Sequence, residues 1–189
     1  MNDQIRRLID ELDARGKIRD DAWQITREEG EFLHQVALSA SARVIVEIGT
    51  SYGFSALFFG AALLQTGGLM HTIDINPSKA ESSKKTFADA GLGQIIINHV
   101  GAAVDLLATL KGPIDIVFID ADKPSTRTYF DLIWPKLRVG GSVLVDNATT
   151  HKEQLADFVS YVRSLPDGVS FEVAVGNGVE WIVKTEKKK

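Results

Sequence analysis

Short apolar runs rich in β-branched residues recur along the chain, separated by polar turns. Seven such runs predict strands at 44–46, 70–75, 95–97, 114–119, 143–145, 171–175 and 181–183. The first five are almost continuously apolar, which is typical of parallel strands that helices cover on both faces. We therefore expect a largely parallel sheet.

Helix-length segments lie between these runs. They span 54–65, 78–90, 102–110, 125–134 and 152–164, and two amphipathic segments at 2–12 and 28–40 precede the first strand. Ser78 and Glu81 have the spacing of a capping box, so the helix over 78–90 is expected to begin there. The alternation of strand and helix predicts an α/β, Rossmann-like, doubly wound fold with helices on both faces of a seven-stranded sheet.

The last two strands are separated by Gly176, Asn177 and Gly178, residues suited to positive φ. This turn predicts an antiparallel hairpin at one edge of the sheet. No linker or repeat interrupts the 189 residues, so we expect one domain. Its parts are helices at 1–42 beside the sheet, a Rossmann-like core at 43–185 and a tail at 186–189.

Composition narrows the classes of function. The formal net charge is -4 and the basic residues are scattered, except for Lys187, Lys188 and Lys189, so no basic surface for nucleic acid is predicted. The absence of cysteine excludes disulfides, thiolate metal ligands and a cysteine nucleophile. The charged N-terminus is unlike a signal peptide, and no apolar run approaches the roughly 18 residues of a membrane span. We expect a cytoplasmic protein that binds neither nucleic acid nor a membrane.

A glycine loop, 49–53, follows the first strand and leads into a helix. A glycine turn at a helix N-terminus suits an anionic or carboxylate group of a ligand. The dinucleotide fingerprint requires glycine where this chain has Ser51 and Phe54, so a nicotinamide cofactor is disfavoured. Glu47 lies inside the apolar strand and needs a donor, supplied either by a ligand or by the fold itself.

Asp74 ends the second strand at a distance from the glycine loop where an acid can accept both hydroxyls of a ribose. The alternative is that Asp74 only caps the helix that follows Pro77. Together with the glycine loop, Asp74 favours a ligand of the adenosine type.

Oxygen-bearing side chains follow the fourth and fifth strands, at Asp120 and at Asp146 and Asn147. The carboxyl ends of neighbouring parallel strands open onto one crevice, so these groups are expected to converge. Adjacent residues of a regular strand face opposite ways, so Asp146 and Asn147 can share a ligand only where the chain has left the sheet. Such an oxygen-only site suits magnesium, manganese or calcium, and the alternative is a turn without a ligand.

These motifs resemble a known family. The acid, glycine loop and second acid are similar to the first motifs of class I S-adenosylmethionine-dependent methyltransferases. The sequences at 118–123 and 145–147 resemble the metal-dependent O-methyltransferases of catechols and caffeoyl esters, and those at 156–163, 170–172 and 179–181 resemble the catechol branch.

The resemblance implies S-adenosylmethionine as cofactor and a set of site residues. The implied cofactor contacts are Glu47, Gly49, Ser51, Gly53, Ser55, Asp74, Ala102, Ala103 and Asp120. The implied ligands of a divalent metal, with Mg²⁺ expected, are Asp120, Asp146 and Asn147. Lys123 would be the general base, and Glu180 would accept a hydrogen bond from the hydroxyl that is not methylated.

The activity implied is methyl transfer to a hydroxyl of a metal-chelated catechol or similar vicinal diphenol, by a protein that could form a homodimer. Two alternatives stay open: a metal-independent methyltransferase of small molecules, and a non-catalytic protein that binds S-adenosylmethionine. Asp122 departs from the family, because the animal enzymes have an aromatic residue there. For Trp23, we expect packing in the core rather than a lid over the site.

Overall fold

The computed structural model describes residues 1–187, and within them the chain forms one seven-stranded sheet. Strands β1 to β7 span Val44–Ile48, Leu69–Asp74, Ile96–Val100, Ile114–Ile119, Leu137–Asp146, Gly168–Val173 and Val179–Lys184. Helices α1 to α7 span Asp3–Gly16, Arg27–Ser39, Phe54–Thr66, Pro77–Asp89, Ala103–Thr109, Thr126–Ile133 and Lys152–Arg163. Of the predicted tail, residues 188 and 189 lie outside the described residues.

The strand order is β3-β2-β1-β4-β5-β7-β6. The first five strands are parallel, and β7 runs antiparallel to both β5 and β6. The predicted fold class, a doubly wound sheet with an antiparallel hairpin at one edge, is confirmed. From β1 the chain adds β2 and β3 on one side of the sheet, and β4 and β5 then follow on the other side. The carboxyl ends of β1 and β4 therefore form the switch point where such folds bind ligands.

The helices cover the sheet in two layers. One apolar cluster joins one face of the sheet to α1, α2, α3 and α4, and a second joins the opposite face to α5, α6 and α7. Helix α3 is buried along most of its length because α1 and α2 pack against its outer side. This second layer places the first turn of α2 near the carboxyl edge of the sheet. Among the helices of residues 1–187, none combines the length and apolar character needed to cross a membrane.

Several element bounds differ from those expected, and two of these differences have a clear local cause. Helix α4 begins at Pro77, because Asn76 is its N-cap and accepts hydrogen bonds from the amides of Ser78 and Lys79 at 3.0 and 3.3 Å. The expected start at Ser78 is therefore wrong by one residue, since proline fits the first helical position and asparagine is a strong cap. Strand β5 is ten residues long, because pairing with β4 extends it through two glycines that interrupt its apolar pattern.

Candidate active site at the carboxyl edge of the sheet

The glycine loop turns tightly against the end of β4. Gly49 has φ 102°, and a Cβ atom there would lie 1.9 Å from the carbonyl oxygen of Asp120. Only glycine fits, both in backbone conformation and in space. The amides of Gly49 and Thr50 donate to the carbonyl oxygen of Ile73 at 2.9 and 3.2 Å, which fixes the loop to β2. Gly53, the N-cap of α3, has φ 86° and no room for a Cβ beside the ring of Phe87.

Glu47 lies fully buried beneath this loop. Its carboxylate accepts hydrogen bonds from the hydroxyl of Ser55, at 2.6 Å, and from that of Thr72. Burial raises the pKa of Glu47 to about 7, although these two hydroxyl donors lower it. The hydrogen-bond donors that a buried Glu47 needs are thus protein hydroxyl groups.

Asp74 connects the end of β2 to the glycine loop. One carboxylate oxygen accepts from the amide of Ser51 at 2.7 Å, and the other accepts from the amide of Asn76 at 2.8 Å. An ionised carboxylate has about four acceptor positions, so Asp74 can still accept from a ligand. The amide of Gly101 donates to the carbonyl oxygen of Asp74 at 3.0 Å and brings Ala102, the N-cap of α5, and Ala103 to the same edge.

A segment before α2 closes over the glycine loop. The hydroxyl of Ser51 donates to the carbonyl oxygen of Ala22 at 2.7 Å. The cavity between segment and loop is only about 10 Å³ in volume, which is space for about one water molecule. Its walls are Trp23, Gln24, Ile25, Gly49, Thr50, Ser51, Tyr52, Phe54, Ser55 and Asp120. The segment before α2 therefore leaves little space above the loop.

Trp23 does not pack in the core, so that expectation is wrong. Its side chain is 80% exposed, and the ammonium of Lys79 lies 4.5 Å from the centroid of its ring. The backbone of Trp23 has φ 43°, a turn that directs its side chain outward while the neighbouring Ala22 and Ile25 are buried. Trp23 therefore stands at the mouth of the small cavity.

Two aspartates meet where β4 and β5 end. Burial and the charge of Asp146 raise the pKa of Asp120 well above its ordinary value, although Lys123 lowers it. Burial also raises the pKa of Asp146. The amide of Asn147 donates to its carboxylate at 2.5 Å and lowers this pKa. Asn147 has φ 69° and lies just beyond the end of β5. It has therefore left the sheet, as the sequence requires if Asp146 and Asn147 are to share a ligand.

Lys123 joins this pair from the short 3₁₀ turn Lys123–Ser125. Its side chain is 8% exposed, its ammonium lies 3.8 Å from the carboxylate of Asp120, and it donates to the carbonyl oxygen of Ala121 at 3.0 Å. Asp122 faces away and stabilises the turn, accepting from the amide of Ser125 at 3.1 Å and the hydroxyl of Tyr129 at 2.7 Å. The structure thus brings Asp120, Lys123 and Asp146 together, with Asn147 next to them.

Glu180 is not part of this cluster. It is fully buried on β7, where the guanidinium of Arg163 donates to its two oxygens at 2.8 and 2.7 Å and the hydroxyl of Ser170 donates as well. Glu180 pairs with Val145, which faces the layer of α5 to α7. Asp146 is the next residue of the strand and faces the other side. The structure therefore places Glu180 in an ion pair across the sheet from the site.

Glu29, on the first turn of α2, is a member of the cluster that the sequence analysis missed. It is 0% exposed, and among residues 1–187 neither of its carboxylate oxygens has a hydrogen-bond partner. Burial and the charges of Asp146 and Asp120 raise its pKa well above the ordinary value. The available signal was its position on the buried stripe of α2, since a glutamate on an apolar helix face requires a partner. Within the described part of the chain, no three Asp, Glu or His side chains are already grouped as a metal site.

Comparison with known proteins supports the grouping of these motifs. The sequence profile of a family described as a methyltransferase domain matches residues 46–148, which include the glycine loop and the aspartates. The catechol O-methyltransferase of Niastella koreensis is 34% identical over 130 residues, which are 67% of this chain and 58% of that protein. The caffeoyl-CoA O-methyltransferase 1 of Eucalyptus globulus is 30% identical over 133 residues, which are 66% of this chain and 54% of that protein. The chain thus matches less than two thirds of the length of these relatives.

Two solved structures share the fold. The O-methyltransferase TomG from Streptomyces achromogenes, in complex with SAM, has a TM-score of 0.83 and 28% identity, covering 98% of this chain and 91% of that one. An SAH-bound methyltransferase from Podospora anserina has a TM-score of 0.87 and 22% identity, covering 98% of this chain and 89% of that one. In both cases the likeness extends over nearly the whole chain.

Proposed function

This chain belongs to the methyltransferase-domain family, and from that membership we propose that it transfers the methyl group of S-adenosylmethionine to a hydroxyl oxygen of a small molecule. The observation that supports the proposal most is the contact between Gly49 and the end of β4. The backbone of Asp120 touches the glycine loop, while its side chain belongs to the acidic cluster. A cofactor at the loop and an acceptor at the cluster would therefore be neighbours, as group transfer requires.

The residues at the loop fit the proposed cofactor. Gly49 lets the loop turn tightly against the end of β4, and Asp74 keeps acceptor positions that suit the hydroxyls of a ribose. S-adenosylmethionine supplies an electrophilic methyl group on a sulfonium centre. Because the cavity is about 10 Å³, the segment with Trp23 has to move off the loop for the cofactor to enter. The presence of SAM in the complex of TomG, at 28% identity, supports this assignment.

A divalent cation, with Mg²⁺ as first choice, is proposed at Asp120, Asp146 and Asn147. Burial raises the pKa of both aspartates, and a cation bound beside them would favour their ionised forms instead. Their oxygen atoms and the amide oxygen of Asn147 are the ligands that magnesium prefers. When bound, the cation would polarise two adjacent hydroxyls of an acceptor as a Lewis acid. This chemistry suits a catechol or a similar vicinal diphenol, and two of the relatives are named catechol O-methyltransferases.

Lys123 is proposed as the general base. Its side chain is almost withdrawn from water and stands beside Asp120, and in its neutral form its amine can accept the acceptor's hydroxyl proton at Nζ. Asp120 holds this amine in place from 3.8 Å. Glu180 has no part in the proposed mechanism, because Arg163 and Ser170 hold its carboxylate on the other face of the sheet.

A metal-independent methyltransferase is the second candidate. The observation that favours it is that, in residues 1–187, no three Asp, Glu or His side chains are already grouped around a metal position. In that case the buried aspartates would be protonated structural groups. Lys123 would still be the nearest basic side chain.

The experiment is a methyl-transfer screen over small diphenols with added Mg²⁺ and, separately, with a chelator. We expect transfer that chelation abolishes and Mg²⁺ restores, and an Asp146→Ala variant that still binds S-adenosylmethionine but lacks transfer. Transfer that persists after complete metal removal would establish the second candidate. Binding of S-adenosylmethionine without transfer to any diphenol would instead support a non-catalytic binding protein.

A further inference from the structure

The carboxylate of Glu29 is buried without a partner, which is a costly state for an acid in a folded protein. Neither oxygen makes a hydrogen bond of normal geometry within the described residues, although the carboxylate of Asp146 and the backbone of Asn177 lie near it. The turn between β6 and β7 leaves space for this side chain, since a Cβ atom on Gly176 would lie 2.3 Å from Oε2 of Glu29. The side chain of Glu29 therefore fits closely against this turn, and its carboxylate oxygens are shielded from water.

The ordinary role of such a glutamate would be to cap its own helix. Thr26 and Glu29 have the spacing of a capping box, in which the glutamate accepts from the amide of the N-cap residue. Only half of the box is formed: Thr26 accepts from the amide of Glu29 at 3.2 Å, but the carboxylate of Glu29 makes no return bond. Its Oε2 instead lies beside Gly176 in the turn between β6 and β7.

The charges around Glu29 are unbalanced. Its nearest charged neighbours are Asp146 and Asp120, both acids, and Lys123 is the cation that acts on these two aspartates. A divalent cation bound by these carboxylates in their ionised form would compensate their negative charge.

We infer that Glu29 is a further anionic ligand of the divalent cation, supplied by α2 to a site otherwise built from strand ends. The inference rests on the proposed metal at Asp120, Asp146 and Asn147 and extends it to the helical layer. A ligand from α2 means that the cation ties the layer formed by α1 and α2 to the edge of the sheet. Cation binding should therefore stabilise the N-terminal helices as well as the site.

The test measures Mn²⁺ binding to the full chain by electron paramagnetic resonance, without S-adenosylmethionine or an acceptor. We expect Glu29→Gln to weaken Mn²⁺ binding at least tenfold, because loss of a charged ligand lowers affinity strongly. Glu28→Gln is the matched control, since Glu28 is exposed on the same helical turn, and its Mn²⁺ affinity should stay within about twofold of the wild type. Equal Mn²⁺ affinity in Glu29→Gln and wild type would overturn the inference.

Thermal unfolding with and without Mg²⁺ gives a second readout. Metal-free Glu29→Gln should be at least as stable as the metal-free wild type, because the substitution removes a buried acid, and Mg²⁺ should raise its Tm less. A metal-free variant that is clearly less stable would mark Glu29 as a structural group and overturn the inference. A wild type that binds no Mn²⁺ would refute the inference together with the proposed metal, whereas Glu29-dependent Mn²⁺ binding without any methyl transfer would refute only the proposed activity.

Discussion

Arg163 donates two hydrogen bonds to the carboxylate of Glu180, on the face of the sheet opposite Asp146. A buried acid that loses its cationic partner is left with an uncompensated charge. Arg163→Ala should therefore destabilise the protein by about 2 to 3 kcal/mol, which is below most of the range for fully buried pairs because Arg163 is half-exposed. Chemical denaturation measures this loss.

The same pair separates a structural role from a catalytic one. Glu180→Gln should lower stability while kcat for methyl transfer stays within about threefold of the wild type, since the side chain lies across the sheet from the site. Steady-state kinetics at a temperature where the variant is folded checks this expectation. A large fall in kcat with unchanged stability would contradict this expectation and support the substrate contact that the family resemblance implies for Glu180.

Lys123→Met should abolish most turnover and leave the cofactor in place. General bases contribute about 10² to 10⁴ in rate, and Lys123 makes its contacts with Asp120 and Ala121 rather than with the glycine loop. We expect kcat to fall by at least about 100-fold, with the Kd for S-adenosylmethionine within about threefold. Calorimetric titration and initial rates measure the two quantities. An equal loss in both would show that Lys123 supports the cofactor pocket instead of the chemistry.

Gly49→Ala should be severely destabilising, because the new Cβ would meet the carbonyl oxygen of Asp120 at 1.9 Å in a backbone that already has positive φ. Gly67→Ala is the matched control, since Gly67 has φ 75° but nothing within 4 Å of the added atom. The control should cost about 1 to 2 kcal/mol, from the left-handed backbone alone. Denaturation curves that give equal losses for both variants would mean that contact with β4 does not restrict the loop.

Glu47 makes stability depend on pH. Its pKa is raised from 4.5 to about 7 in the folded protein, so the native state holds the proton more firmly than the unfolded chain. This contribution is complete below pH 4.5 and is lost as the pH rises through about 7, with a total of about 3 kcal/mol. Glu47→Gln cannot titrate, so the stability of wild type minus that of the variant should fall by this amount between pH 4.5 and about 7.5. A difference that is flat with pH would contradict the burial of an acid with a raised pKa.

Much of the fold could be predicted from the chain because its signals are local. The apolar runs and the helical segments between them correspond closely to the observed elements, and the turn at 174–178 makes the hairpin expected there. Strand ends could also be located, so the sequence placed Asp74, Asp120 and Asp146 at the edge where ligands bind. The start of β5 was predicted wrongly, because its glycines indicate a turn, whereas pairing with β4 keeps this segment in the sheet.

What the sequence by itself determined was the doubly wound fold, the glycine loop and the side chains that follow β2, β4 and β5, because each depends on residues close together in the chain. Only the tertiary structure decided which distant groups meet. Glu29 faces Asp146 because α2 packs on α3, Glu180 faces Arg163 because of the register between β5 and β7, and Trp23 points outward because its backbone turns. Packing between layers and the parity of a strand register are global properties, and no local pattern encodes them.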